Sequence, residues 1–580
     1  MPKDPTSELA PEAAAPHSAA AAAQRWQWFG QPRGLSTLFF TEMWERFSYY
    51  GMRALLILFM TAPLMGENPG LGFDVSTSGA VYGLYTSLVY LLALPGGWVA
   101  DKLWGQRRAV FVGGCVIAAG HFTMAAPLVG LPDIPSFFTG LGLIVIGTGL
   151  LKPNVSAMVG DLYPESGARR DAGFSIFYMG INVGAIFGPT ICSFLGEGYN
   201  FHWGFSAAGF GMLLGLLQYK LGGRYLGDAG LLRTGEVGEA LARRHRNFYL
   251  VLGGFGAVAI LAAFLVTSGA IDIGLETFAT YLGYAIIALA ILYFVYLLVA
   301  GGYDSAQKRR LLGIFWIFIL AAIFWSGFEQ AGSSMNLFAF DLTDRDLGPY
   351  GFGGAVVLGA TVLVAVLLGW LWWSKLARRS DLFTTEKVIS LLVVAGLIYF
   401  FWWVFDKAVG GWEMPAGWLQ NVNPLFIVLL APVFGSLWVW LAQRNANPSI
   451  PLKFALGLLG LSAGFFVLAW GAANATAENP VTPAWLVVTY FLHTCGELCL
   501  SPVGLSSITK LAPSDRVGQM MGVWFIASAL GNLFAGLVAG RLENVSEATL
   551  FGRVAMFVLV ASILAALLAP VMRRVMGKVT

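Results

Sequence analysis

Charge is what this 580-residue chain has least of: 12% of its residues are charged, against about 25% in an average soluble protein. Thirty-five Lys and Arg against 32 Asp and Glu leave a net charge of only +3. No basic tract is dense enough for a nucleic-acid binder. Four cysteines are present, Cys115, Cys192, Cys495 and Cys499. All lie in or beside apolar segments, and no pair has the spacing of a zinc site or a redox CxxC, so they read as packed thiols. No Walker motif, HExxH or nucleophile elbow occurs. That argues against ATP-driven pumping and membrane proteolysis, and the chain reads as no enzyme, with neither cofactor nor metal.

Apolar residues make up 57% of the sequence and glycine numbers 72, a bias of membrane helices. Several apolar runs reach the ~20 residues that cross a ~30 Å hydrocarbon layer. Sixteen candidate spans fall near 36–62, 79–100, 109–129, 137–158, 173–195, 203–222, 248–267, 280–301, 312–332, 353–374, 388–406, 424–443, 453–472, 484–505, 518–540 and 550–572. Unpaired backbone groups cost several kcal/mol each in lipid, and the runs are too long for ~10-residue barrel strands, so the expectation is an all-α polytopic fold. The Ala- and Pro-rich residues 1–35 have neither the basic start nor the long apolar run of a signal peptide, and read as a disordered tail.

Lys and Arg favour cytoplasmic loops. With the N-terminus inside, 28 of the 35 bases fall on the cytoplasmic side and 3 outside. That asymmetry supports an even number of spans and cytoplasmic termini in a cell membrane. The other four bases, Arg46, Arg53, Lys152 and Arg553, lie within or at the edge of spans.

An ionisable group at bilayer depth costs from ~2.5 kcal/mol upward, so it needs a partner or a watery cavity. In the first span Glu42, Glu45, Arg46, Tyr49, Tyr50 and Arg53 recur every three or four residues. That forms one helical stripe, expected to face a central polar cavity. Lys152, Glu329 and Glu497 are embedded in otherwise apolar segments. Three bases and four acids allow near-neutral pairing across helices, but static pairs contribute little stability after desolvation, so a substrate or ion pathway is the stronger reading. His121 and His493 read as packed rather than ligating. Asp161, beside Arg169 and Arg170, reads equally as a helix-end or gating group.

Several motifs then coincide. GGWVADKLWGQRR (Gly96–Arg108) resembles the loop signature of the major facilitator superfamily, where Asp101 and the following bases would pin helix ends. Glu42-Met-Trp-Glu45-Arg46 resembles the ExxER motif of the proton-coupled oligopeptide transporter (POT/PTR) family. GTGLLKPNVS, FYMGINVGA (Phe177–Ala185), NPLF (Asn423–Phe426) and GELCLSPVGLS (Gly496–Ser506) resemble further family motifs, in the family's order.

The resemblance implies a major facilitator fold: two six-helix bundles around a central cavity, with an inter-bundle helix pair. The chain would divide into the tail 1–35, an N-terminal bundle 36–222, a linker with the extra pair 223–311, and the first helix of the C-terminal bundle 312–332. An insertion 333–423 with two extra hydrophobic helices follows, then the remaining five helices 424–572 and a tail 573–580. This insertion departs from the usual family pattern.

The resemblance also implies roles. Glu42, Glu45, Arg46, Lys152 and Glu329 would couple protons. Arg53 and Lys152 would meet a peptide carboxylate. Glu497, with Asn182 and Asn423, would hold the amino group. Tyr49, Tyr50, Tyr90, Trp325, Ser501 and Trp524 would line side-chain pockets. Arg53–Glu329 and Lys152–Glu497 would be gating pairs between bundles. Where mammalian members carry a titratable histidine in the second span, this chain has Gly83, which shifts proton coupling onto carboxylates. The implied function is import of di- and tripeptides by a proton-driven symporter working as a monomer in the lipid bilayer, with no nucleic-acid partner. Transport of nitrate or another small anion on the same fold, or a non-transporting peptide sensor, are the alternatives.

Overall fold

The computed structural model describes residues 27–28, 30–163, 167–232, 242–250, 253–254, 257, 274–346, 399, 412–513 and 516–577. The expected tail therefore lies mostly outside the described residues. So do most of the span at 248–267 and nearly all of the two inserted spans at 353–374 and 388–406.

The chain enters through a two-residue hairpin, β1 (Gln27–Trp28) and β2 (Gln31–Pro32). The N-terminal bundle follows: α1 (Gly34–Thr61), α2 (Val75–Leu91) continued by α3 (Ala93–Val99), α4 (Gln106–Met124), α5 (Asp133–Asp161), α6 (Ala168–Gly198) and α7 (Phe201–Gly222). After α8 (Leu275–Ala300) come α9 (Ser305–Phe328) and the short α10 (Ser334–Asp341). The C-terminal bundle is completed by α11 (Val422–Gln443), α12 (Ile450–Ala472), α13 (Ala484–Leu511), α14 (Val517–Ala539) and α15 (Glu547–Met576). Thirteen of the sixteen expected spans are thus helices among the described residues, counting α2 and α3 as one.

Helix starts follow their sequences. The Asp74 carboxylate accepts from Thr77 N at 2.6 Å and caps α2. Asp304 and Gln307 form a reciprocal capping box on α9. Each satisfies backbone donors that the first turn leaves free.

In lipid, helices associate through close backbone approach rather than a hydrophobic drive. On α6, Gly184 and Gly188 lie one turn apart, and a Cβ on them would stand 2.2 Å from Met43 O and 2.4 Å from Phe47 O of α1. Only glycine permits that seam. The bundles meet in the same way: a Cβ on Gly83 of α2 would lie 2.8 Å from Leu533 O of α14, and one on Gly536 would lie 2.6 Å from the Gly83 Cα. Gly83 is therefore a bundle contact with no space for a side chain.

Aromatic side chains fill the core of each bundle. Phe59 meets Phe137, Phe201 and Phe205 at centroid distances of 5.3–5.6 Å in one. Phe551 meets Phe338 and Phe465 in the other. Outward-facing apolar side chains such as Val433, Val439 and Leu567 are exposed, as expected of a lipid-facing surface. Cys192 and Cys499 are buried, Cys495 is half-buried and Cys115 is exposed; all four are free thiols.

Candidate functional site

Where the bundles face each other, a cavity of about 120 Å³ is lined from both sides. The N-terminal bundle contributes Tyr50, Arg53, Tyr90, Tyr178 and Asn182. The C-terminal bundle contributes Trp325, Glu329, Asn423, Tyr490, His493 and Glu497. Eight of the residues expected in the site line it: Tyr50, Arg53, Tyr90, Asn182, Trp325, Glu329, Asn423 and Glu497.

The polar groups are arranged in pairs. Arg53 Nη1 lies 2.9 Å from Glu329 Oε2, an ion pair joining the bundles. Both partners are nearly enclosed, so the charges compensate each other where water is scarce. Across the cavity Asn423 Nδ2 donates to Glu497 Oε2 at 3.2 Å and to Thr494 Oγ1 at 2.9 Å. Asn182 turns its amide back to Tyr178 O at 3.0 Å, within its own helix. One cavity therefore presents a guanidinium toward one side and a hydrogen-bonded carboxylate toward the other, between aromatic walls.

The stripe on α1 divides. Tyr50 and Arg53 reach the cavity, whereas Glu42, Glu45 and Arg46 form a closed cluster about two turns away along α1. Arg46 Nε is 3.2 Å from Glu42 Oε1 and closer still to Glu45 Oε2. All three are at most 3% exposed. The stripe expected to face the cavity as a whole therefore does so only at Tyr50 and Arg53. Tyr49 is buried against Tyr85, with the Arg46 guanidinium over its ring.

Lys152 sits beside Pro153 in α5. Proline has no N–H, so the carbonyl of Gly149 loses its ladder partner, and one turn on Asn154 Nδ2 bonds Leu150 O at 2.6 Å. Lys152 Nζ lies 3.8 Å from the Tyr90 ring centroid. Among the described residues no carboxylate stands within ion-pair distance of it, so the expected Lys152–Glu497 pair is not made in this conformation while Arg53–Glu329 is. Ser501 and Trp524 also lie off the cavity. Trp524 covers Gly504 of α13.

Sequence reasoning missed Tyr178, Gln420 and Tyr490 as lining residues. Tyr178 lies inside the FYMGINVGA motif and was within reach; Gln420 and Tyr490 carried no signal of their own. His493 lines the cavity but turns Nε2 toward Leu461 O at 3.1 Å, in keeping with a packed role. His121 is fully buried. Asp161, at the end of α5, accepts from Gly230 N at 3.0 Å. Arg107 bonds Ala229 O at 2.6 Å and, with Asp161, pins the segment after α7 to the ends of α4 and α5.

Hydrogen bonds also tie the bundles together at the end of α6. Glu197 accepts from Ala416 N at 2.7 Å and Gly417 N at 3.0 Å. Trp418 Nε1 donates to Thr190 O at 2.9 Å, and Asn421 to Thr190 Oγ1 at 2.8 Å. Asn336 reaches Ala54 O at 2.8 Å. These cross-bundle bonds lie between the level of Arg53 and the Glu197 end.

The chain matches the PTR2, POT family, profile over residues 107–391 and 396–576. It is 38% identical over 556 residues to the peptide transporter YePEPT of Yersinia enterocolitica subsp. palearctica, covering 94% of this chain and 95% of that one. It is 34% identical over 553 residues to the di-/tripeptide transporter of Lactococcus lactis subsp. cremoris, covering 95% and 98%. Its fold superposes on the crystal structure of a peptide transporter POT in complex with sulfate with a TM-score of 0.77, at 35% identity, covering 96% of this chain and 98% of that one.

Proposed function

The chain belongs to the POT family of major facilitator transporters, and from that premise we propose that it is a proton-coupled symporter importing di- and tripeptides by alternating access. The observation that carries this reading is the cavity in which Arg53 and Glu497 stand on opposite bundles. A short peptide is a zwitterion with variable side chains, and its constant features are one carboxylate and one ammonium. Arg53 offers a planar fork for the carboxylate. Glu497, held by Asn423, accepts the ammonium. Tyr50, Tyr90, Tyr178 and Trp325 give adaptable apolar contact, so the ends are recognised and the middle is tolerated. A bare anion would find Glu329 and Glu497 opposing it.

Arg53 is engaged by Glu329 in this conformation. A peptide carboxylate competes with Glu329 for the guanidinium, and a proton on Glu329 frees Arg53 to take it. Burial raises a carboxylate's pKa and a neighbouring cation lowers it. The Glu42–Glu45–Arg46 cluster is therefore suited to take and release a proton as Lys152 approaches it or leaves for Tyr90. The bases favour the Glu197 end as the outer face and the termini as cytoplasmic; on that reading this conformation is closed outward.

Purified protein in liposomes, given an inward proton gradient, is expected to accumulate labelled dialanine, and N-acetyl-dialanine to compete weakly. No gradient-dependent accumulation, or competition by nitrate instead of peptide, would contradict the reading.

A further inference from the structure

A second polar pocket, of about 660 Å³, lies wholly within the C-terminal bundle at the opposite end from Glu197. The turn from α11 into α12 forms one wall, with the last turns of α13 and α15 across from it. Lys453, Lys510 and Arg573 all line it, one from each of α12, α13 and α15, and no acidic residue does so among the described residues. Ser449 and Ser506 add hydroxyls, and Asn445 and Asn447 add amides.

Lys453 is the informative member. It stands in the first turn of α12 and is only 8% exposed. Its ammonium lies 4.3 Å from the Trp438 ring centroid. Among the described residues it has neither an ion-pair partner nor a hydrogen bond. Its stem is packed while its ammonium stays open to the pocket, so three donors face that space, and one aromatic face answers only part of that demand. The start of α12 adds to it: no side chain caps this helix, whose axis dipole is positive at that end. Three cations converging without an acid repel one another until an anion joins them. A carboxylate offers two acceptor oxygens in one plane, whereas a phosphate offers acceptors in several directions, suited to bases that come from three helices. The bases sit at helix ends, the level of lipid phosphates, and Ile450, Pro502 and Val503 give the pocket an apolar flank.

We propose that this pocket binds a phosphate-bearing anion, either the headgroup of an anionic phospholipid or free phosphate, and that its occupancy ties the α11–α12 turn to α13 and α15. The proposal does not depend on the transported substrate.

The test uses the full chain in detergent, stripped of lipid, with thermal midpoints followed against short-chain phosphatidylglycerol, short-chain phosphatidylcholine and inorganic phosphate. A saturable rise with phosphatidylglycerol that phosphatidylcholine does not reproduce identifies the lipid source; a saturable rise with inorganic phosphate identifies the free ion. In either case Lys453→Met weakens the apparent affinity about tenfold, which is about 1.4 kcal/mol. The double variant Lys510→Gln/Arg573→Gln changes only exposed side chains and is expected to weaken it similarly, so it decides the matter if the buried substitution fails to fold. Absence of a saturable rise with both anionic probes, or equal responses in native protein and the double variant, would overturn the proposal.

Discussion

At the scale of single residues, membrane context made the site legible. A charge in an apolar helix is so costly that Glu42, Glu45, Arg46, Arg53, Lys152, Glu329 and Glu497 stood out without a structure. Their partners were less legible. The pairing of Arg53 with Glu329, rather than with another acid, depends on how two helices separated by nearly 300 residues are brought together. Helical spacing placed Glu45 and Arg53 on one stripe but could not tell that the first is enclosed in a charge cluster while the second lines the cavity. The enclosed cluster gives a sharp expectation. Glu45→Gln keeps the shape and removes the titration, so proton-driven uptake in liposomes should fall to background. Counterflow exchange of peptide at equal pH, which needs no net proton movement, should persist. Unimpaired accumulation under a pH gradient would remove Glu45 from the coupling machinery.

At the scale of elements, apolar run length and loop charge located the helices, because lipid permits little else. Their ends depend on local chemistry. Asp74 precedes the second span at the place where α2 begins, and its carboxylate accepts from both the backbone and the hydroxyl of Thr77, at 2.6 and 2.8 Å. Those hydrogen bonds hold its pKa below the ordinary aspartate value. A lowered folded-state pKa means that the cap's stabilisation is present above the unfolded pKa and is lost as pH falls through the folded one. Asp74→Ala should therefore lower stability by about 1 kcal/mol at neutral pH, the usual worth of a helix N-cap. The gap between variant and native protein should close below about pH 4, near the reference aspartate value. Thermal unfolding in detergent at a series of pH values reads this directly, and a gap independent of pH would show that the cap is not the cause.

At the scale of the whole molecule, the two-bundle architecture was legible through family motifs and not from periodicity, since a hydrophobic run does not state which helix it will touch. The seam between Gly83 and Gly536 is an example: each glycine is unremarkable alone, and only the crossing of α2 with α14 gives both a purpose. What closes one end of the molecule is likewise a set of local bonds made between distant segments. Glu197 accepts two backbone N–H groups from Ala416 and Gly417 of the other bundle. Hydrogen bonds to a charged group contribute about 1.5–3 kcal/mol each. A loss of about 2.7 kcal/mol is enough to carry a 99:1 equilibrium to near parity. Glu197→Gln retains one acceptor oxygen and removes the charge, so a population opened at this end should become visible. Spin labels at the exposed positions Tyr199 and Glu543, one on each bundle, should give a longer-distance component in the variant's pulsed electron–electron distance distribution that the same labels lack in the otherwise native chain. Asn421→Ala, which removes the separate bond to Thr190, should enlarge that component further. If the distribution stays unchanged in both the single and the double variant, these bonds do not set the balance between closed and open forms, and closure at this end rests on the glycine seam instead.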